Sequence, residues 1–297
     1  MKALVIGNCQ ARPLTQLVAR ATDAQMLEPI VLHLAKDGDQ DVHAARMAEA
    51  DIIFAQQTAE NFARPWLRSN VVRANHPFVF VWPNIFWAGQ QPFLRYMTHT
   101  TGGRMMGPLE ALHDVRIYHD WLAQEGLITD RQSEFDSAYV ARIREMSLAE
   151  LQRREATCDV AITDVLGSYV DNRRLFFTFN HPTAFVLAKV ASRLLKVSGF
   201  SSTQVEEPPD EPLGRYVVPS LWPDKPDHMQ GDGYTLESGG QVSRRPGPPV
   251  RYNDQKLLAA FHEVYSHNPL FRDLSNIRFT PANGMDADIF KANGAPV

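Results

Sequence analysis

The sequence predicts an α/β fold, a mainly parallel sheet flanked by helices, on three observations. Short apolar runs (Leu4–Ile6, Asp51–Ala55, Phe78–Trp82) alternate with stretches of helical spacing, the pattern of βαβ units. The first run leaves through Gly7 into an amphipathic helix with Pro13 in its first turn. A later strand-like run, Leu175–Phe179, meets another helix start at Pro182.

Element by element, Leu4, Val5 and Ile6 form a buried strand, and Leu14, Leu17, Val18 and Ala21 give the i, i+3, i+4, i+7 face of a helix. Gly7 permits a tight turn between them. Pro29–Leu34 reads as a second strand, Val42–Ala50 as a short helix, Asp51–Ala55 as a third strand, and Pro65–Ser69 as a helical connection. Val71–Val72 and Phe78–Trp82 read as further strands. From Pro83 to about Arg116 the periodicity dissolves. There Trp82, Phe86, Trp87, Phe93 and Tyr96 are interleaved with Pro83, Gly89, Pro92 and Gly102-Gly103, an irregular aromatic insert that either lines a pocket or plugs the core's edge. Helical spacing resumes with Phe135, Tyr139, Ile143 and Met146. Ser147-Leu148-Ala149-Glu150 has the capping-box form that restarts a helix, and Asp159 is placed to cap the next, with Ile162, Val165, Leu166 and Tyr169 on one face. After the strand at 175–179, a helix begins at Pro182 and turns Leu187, Ala191, Leu194 and Leu195 inward. Residues 206–250 hold nine of the 20 prolines and read as extended loop. Lys256–Tyr265 is a short amphipathic helix and the remainder tail-like. The expected organisation is an α/β core over 1–200, carrying the site, with a Pro-rich segment and C-terminal helix over 201–297 packed on it.

Composition narrows the function classes. A chain of 297 residues, 44% hydrophobic, buries an enzyme-sized core. Its net charge of −4 gives no general pull on nucleic acid or anionic membrane. No apolar run approaches the ~20 residues of a membrane helix, so a soluble, cytoplasmic protein is expected, with no nucleic acid among its partners. Two cysteines make no disulfide framework. His113-Asp114 and His119-Asp120 are six apart, a poor helical spacing for two ligands, and nothing completes a metal set. No metal is expected.

The chemistry concentrates at two turns. Cys9 stands where a strand hands over to a helix N-terminus, whose dipole favours a thiolate; equally, a cysteine beside a core strand often only packs. Asn180-His181 is a second polar pair between a strand and a helix start. If both strands share one parallel sheet, both turns open on the edge where such sheets take their ligands. His181 then serves as base to the Cys9 thiol, the minimal nucleophile–base pair; its alternative is a capping or packing role before Pro182. The backbone N–H groups of the first turn, with the Asn8 and Gln10 amides, are candidates for holding an oxyanion. His76, in Asn75-His76-Pro77, imitates the second turn and is the alternative base. Cys158 carries no motif and reads as structural.

Gly7-Asn8-Cys9-Gln10, Trp82-Pro83-Asn84-Ile85-Phe86 with Gly89 and Pro92 after it, and an aromatic strand running into Asn180-His181-Pro182 together resemble the WcbI-type polysaccharide biosynthesis family, over roughly residues 1–200. The resemblance implies an acetyltransferase of capsular polysaccharide biosynthesis that binds coenzyme A, with acetyl-coenzyme A as donor and a sugar or polysaccharide-precursor hydroxyl as acceptor. It implies Gly7, Asn8, Cys9, Gln10, Asn180 and His181 as site residues. Arg12, Arg173 and Arg174 are then candidates for the coenzyme's phosphates, because guanidinium forks match phosphate oxygens. Gln90-Gln91 stand where relatives are expected to carry a His or another polar pair before Pro-Asp, and Phe93 replaces that Asp. Gly-Asn-Cys is also similar to the Gly-Asp-Ser turn of SGNH-type hydrolases, which implies an SGNH-like arrangement. The aspartate such enzymes place three before the histidine is absent, Thr178 standing there, which leaves Asp164 and Asp171 as substitutes. Three readings follow: an acyltransferase; a thioesterase or carbohydrate esterase using the same site with water; and a carbohydrate- or nucleotide-binding protein with the aromatics of 82–96 as platform.

Overall fold

In the computed structural model the first apolar run is the centre of a parallel sheet. The structure describes residues 1–201, 203–214, 233–237, 241–245, 254–281, 286 and 289–291. Strand β1 (Lys2–Gly7) is followed by α1 (Ala11–Ala21), β2 (Gln25–Met26), β3 (Ile30–Val31), α2 (Gln40–Glu49), β4 (Ile52–Gln56), α3 (Ser69–Asn75) and β5 (Val79–Trp82). β1 pairs in parallel with β4 on one side, Val5 opposite Phe54, and successively with β2 and β3 on the other; β4 pairs in parallel with β5. The chain reverses its direction across the sheet between β1 and β4, which makes that junction the switch point.

Alternation along β1 feeds two cores, because successive side chains of a strand point to opposite faces. Ala3 and Val5 join Phe54 and the inner face of α1 (Leu14, Leu17, Val18), while Leu4 and Ile6 join Ile53, Ala55, Val72 and Val81. Val72 thus lies in α3 and not in a strand. Thr58 and Ser69 fix that helix start by exchanging backbone and hydroxyl hydrogen bonds (Ser69 N–H to Thr58 Oγ1, 2.9 Å), a contact eleven residues apart that overrides the β-branched pair.

The chain continues through β6 (Leu94–His99), β7 (Gly103–Arg104), β8 (Leu112–Asp114), α4 (Val115–Gln124), α5 (Ser137–Glu155), α6 (Thr163–Tyr169), β9 (Phe176–Thr178), β10 (His181–Pro182), α7 (Ala184–Val197), β11 (Gly233–Leu236), β12 (Val242–Arg245), α8 (Gln255–His267) and β13 (Ile277–Thr280). The expected helix restart at Ser147 does not occur. α5 runs through it, and Glu150 turns to Arg153 in a two-bond pair at 2.8 Å instead of reaching back to the backbone. α6 is capped by Glu155, which accepts the Thr163 N–H at 2.9 Å. Asp159, the residue expected there, accepts the Val81 N–H at 2.6 Å and pairs with Arg73.

Two compact units result, and they do not divide at residue 200. Residues 1–87, 147–176 and 180–214 form the parallel-sheet unit, and the other described residues form the second. In the second unit the expected irregular insert carries three strands between its irregular stretches: β6 pairs antiparallel with β7, β8 and, from the C-terminal region, β13, Tyr96 lying opposite Thr280. The pairing of β6 with β13 joins segments about 180 positions apart, so no local pattern announced it. Arg95, fully buried, donates to Asp286 Oδ2 (3.0 Å) and to the Tyr139 hydroxyl (2.8 Å), so the C-terminal stretch is not a tail. Most of the Pro-rich 206–250 lies outside the described residues; within it β11 and β12 form an antiparallel hairpin. Among the described residues no helix is long and apolar enough to cross a membrane.

Candidate functional site

The site is built where β1, β4 and β5 end, and Gly7 is its first requirement. A Cβ there would lie 2.9 Å from Cζ2 of Trp82, so it is the close approach of the indole that demands glycine. The next residue, Asn8, is fixed on three sides. Its N–H donates to Gln56 Oε1 (2.8 Å), its Oδ1 accepts the Gln10 N–H (3.0 Å), and its Nδ2 donates to Asn84 Oδ1 (3.2 Å). The Oδ1 contact is an Asx turn, the local device by which Asn redirects the chain into a helix. The Asn8 carbonyl then accepts the Ala11 N–H that opens α1. Cys9 is half-buried at this turn against the core between α1 and α7, its sulfur 3.9 Å from Asn8 Oδ1.

Gln10 ties the turn to the rest of the site. Wholly buried, it donates one Nε2 hydrogen to the Ile85 carbonyl (2.9 Å) and the other to the Asn180 carbonyl (3.0 Å), while its Oε1 accepts from Gln56 Nε2 (3.1 Å). A primary amide has two hydrogens. With both spent on carbonyls, Gln10 is not the oxyanion donor expected from its position; it is a positioning residue. The segments 8–10, 84–85 and 180–181 are thereby laced together by side-chain amides.

The convergence of the Cys9 and His181 turns does not arise as the sequence suggested. β9 is not a strand of the parallel sheet. It pairs with β10 in a two-stranded ladder, and the Thr183 N–H returns to the Leu175 carbonyl at 2.9 Å. The tight turn at Phe179-Asn180 folds the aromatic run back on itself, so its backbone groups are satisfied locally. His181, 3% exposed, lies in the returning strand, and the Gln10–Asn180 bond replaces a shared sheet edge.

The remaining candidates separate clearly. His76 bonds the Ala50 carbonyl at 2.8 Å, ahead of the starts of β4 and β5, and therefore sits on the sheet edge opposite the one where β1 releases Cys9. Arg12 is exposed in the first turn of α1 and forms no hydrogen bond or ion pair among the described residues. His33, just beyond β3 on the same edge, is pushed below the ordinary histidine range by burial and by the Arg12 charge. Arg173 pairs with Glu207 and covers the Phe185 ring at 4.0 Å, and Arg174 donates to the Phe176 carbonyl (3.3 Å). Asp164 is held by Arg193 through both oxygens, at 2.7 and 2.6 Å. Cys158 points its sulfur at the Arg154 carbonyl (3.3 Å), and burial pushes its thiol up to about 12, which makes it inert. His113 is enclosed between the Tyr265 hydroxyl and the Met105 carbonyl, both at 3.1 Å. No group of three or more metal-ligating side chains occurs among the described residues.

Three residues that order the candidate site were not named as site residues from the sequence: Gln56, Arg154, and Asn84, which entered only as part of the Trp82–Phe86 motif. Arg154 reaches back from α5 to the carbonyls of Asn84 and Phe86 (3.0 Å to the latter) and so clamps the Trp82–Phe86 segment against the Asn8 turn. The available signal was Gln56, a polar residue ending the apolar strand Ile52-Ile53-Phe54-Ala55 at its carboxyl end.

A cysteine turn and a buried histidine turn, joined at the switch point of a parallel sheet, define an α/β protein with its candidate site at the carboxyl edge, where such sheets take their ligands. The family model of the polysaccharide biosynthesis enzyme WcbI matches residues 2–203, and the chain belongs to that family. A solved structure of WcbI, described as a novel polysaccharide biosynthesis enzyme in its native form without a disulfide bond between coenzyme A and a cysteine, is similar at 19% identity. The match has a TM-score of 0.64 and covers 91% of this chain and 96% of that one. No curated protein sequence matches the chain.

Proposed function

We propose that this polysaccharide biosynthesis enzyme transfers an acyl group, acetyl in the first instance, from coenzyme A to a sugar hydroxyl. The observation that carries the reading is the 3.0 Å bond from Gln10 to the Asn180 carbonyl, which ties the thiol turn to the histidine turn. Family membership supplies the sugar context. The similar WcbI structure, named for coenzyme A and a cysteine, supports the donor.

In the reaction His181 takes the proton of the sugar hydroxyl as its oxygen attacks the acyl carbon, and coenzyme A leaves as its thiol. Two routes share these residues. In one the hydroxyl attacks the thioester directly and the Cys9 turn steadies the oxyanion; in the other the Cys9 thiolate first displaces coenzyme A, and the hydroxyl then attacks the acyl-cysteine. Asn8 keeps one amide hydrogen beyond its bond to Asn84 and is the side-chain candidate for the oxyanion. Arg12, unpaired among the described residues, is the candidate for the coenzyme's phosphates; Arg173 is committed to Glu207 and Phe185. The protein in this reading works in the cytoplasm, where acyl-coenzyme A is made.

Incubation with acetyl-coenzyme A and a sugar acceptor tests the reading. Cys9→Ala and His181→Ala are each expected to abolish transfer. Intact mass of the wild type trapped before acceptor addition separates the routes, because only the covalent one adds an acetyl group to Cys9. Undiminished transfer by Cys9→Ala overturns the assignment, and rapid hydrolysis of acetyl esters without an acceptor favours the esterase reading.

A further inference from the structure

Beside the Cys9 turn, at the carboxyl edge of β4 and β5, the parallel-sheet unit carries an open cleft of about 870 Å³. Its walls are amides and hydroxyls: Gln57, Asn61, Asn70, Asn84, Ser69 and Thr157; Ala59 and Val81 are the apolar side chains among the described lining residues. The cleft adjoins the site through two residues. Asn84 lines it and also accepts the Asn8 amide at 3.2 Å, and Gln57 directly follows Gln56, which holds the Asn8 N–H at 2.8 Å.

Its electrostatics distinguish between ligands. Three guanidiniums face it and three carboxylates balance them: Asp159 pairs with Arg73, Glu150 is shared by Arg153 and Arg154, and Glu60 lies on the wall, while Arg154 is further spent on two carbonyls. A diphosphate or the phosphates of a coenzyme would find no net positive charge and would have to displace these carboxylates to reach the guanidiniums. A neutral polyol would find donors and acceptors of both kinds at matching density, without an ion to desolvate.

We propose that this cleft is the acceptor subsite, and that it takes an uncharged, hydroxyl-rich saccharide rather than a nucleotide-linked sugar. The proposal rests on the transfer reading above for the fate of the bound hydroxyl. The Asn8–Asn84 contact joins the two: a sugar hydrogen-bonded to Asn84 lies next to the residue that precedes the thiol.

Saccharide binding is measured directly by saturation-transfer NMR, with glucose, mannose, N-acetylglucosamine and maltose as probes, and with uridine diphosphate and coenzyme A as charged controls. The proteins are wild type, Asn61→Trp and Asn70→Trp. Both asparagines are exposed on the cleft, so the indoles fill it without entering the core. The expected result is binding of at least one neutral saccharide to wild type, weakened roughly tenfold or more by either tryptophan. Coenzyme A affinity is expected to be unchanged in the same samples. No saccharide binding by wild type, binding indifferent to both tryptophans, or loss of coenzyme A or uridine diphosphate binding in their place overturns the proposal. A wild type that binds saccharide in the cleft but neither binds coenzyme A nor transfers acetyl would refute the transfer reading alone.

Discussion

Replacing Gln10 by methionine removes the amide that laces the site while nearly conserving its volume. The change takes one hydrogen bond from each of the Ile85 and Asn180 carbonyls and from the Gln56 amide, in a position with no exposure. An unsatisfied buried polar group costs about 1–3 kcal/mol. Two of them, the Ile85 carbonyl and the Gln56 amide, at about 1.5 kcal/mol each give a destabilisation of about 3 kcal/mol, less whatever Gln56 regains by turning. With a urea dependence of about 3 kcal/mol per molar, the midpoint of the transition seen by Trp82 and Trp87 fluorescence should fall by roughly 1 M. The functional consequence is separable. The Gln10 side chain bonds two carbonyls and the Gln56 amide, so alkylation of Cys9 should continue in Gln10→Met while acetyl transfer falls at least about tenfold, because the turn at 180–181 is no longer indexed to Cys9. A Gln10→Met protein with unchanged midpoint and wild-type transfer would refute the view that this amide assembles the site.

Three further outcomes are expected. Gly7→Ala sets a methyl against the Trp82 ring and should cost about 1–3 kcal/mol, with a shift of Trp82 emission; an unperturbed spectrum and midpoint would mean the ring has room to move. At neutral pH iodoacetamide should modify Cys9 and spare Cys158, whose thiol titrates only near 12, as peptide mass mapping of both sites will read. Burial lowers His113 to about 4, so its neutral form is favoured by folding. This contribution is complete above the ordinary histidine value of 6.5 and is lost as pH falls from there through 4, on the order of 3 kcal/mol in all. Urea midpoints measured between pH 7 and pH 4 should therefore drop less steeply in His113→Asn than in wild type; parallel slopes would remove His113 from the acid response.

The sequence by itself determined what is encoded within a few residues. The buried strand at 2–7 follows from a continuous apolar run, and the amphipathic helix after Cys9 and the inward face of α7 from a period of 3.6 in local hydrophobicity, and the structure keeps them. The three site motifs were also legible, because polar residues at the ends of apolar strands are exceptions to that pattern. Tertiary contact decided the rest. Whether Val72 is strand or helix depended on Thr58 and Ser69, and whether Ser147 caps a helix depended on Glu150 finding Arg153. Whether residues 94–99 are loop or strand depended on a partner at 277–280. The meeting of the Cys9 and His181 turns belongs to this second class, since it rests on one buried amide satisfying a carbonyl 170 positions away. A hydrogen bond is short-ranged in space and indifferent to separation along the chain, so no window of sequence, however periodic, contains it.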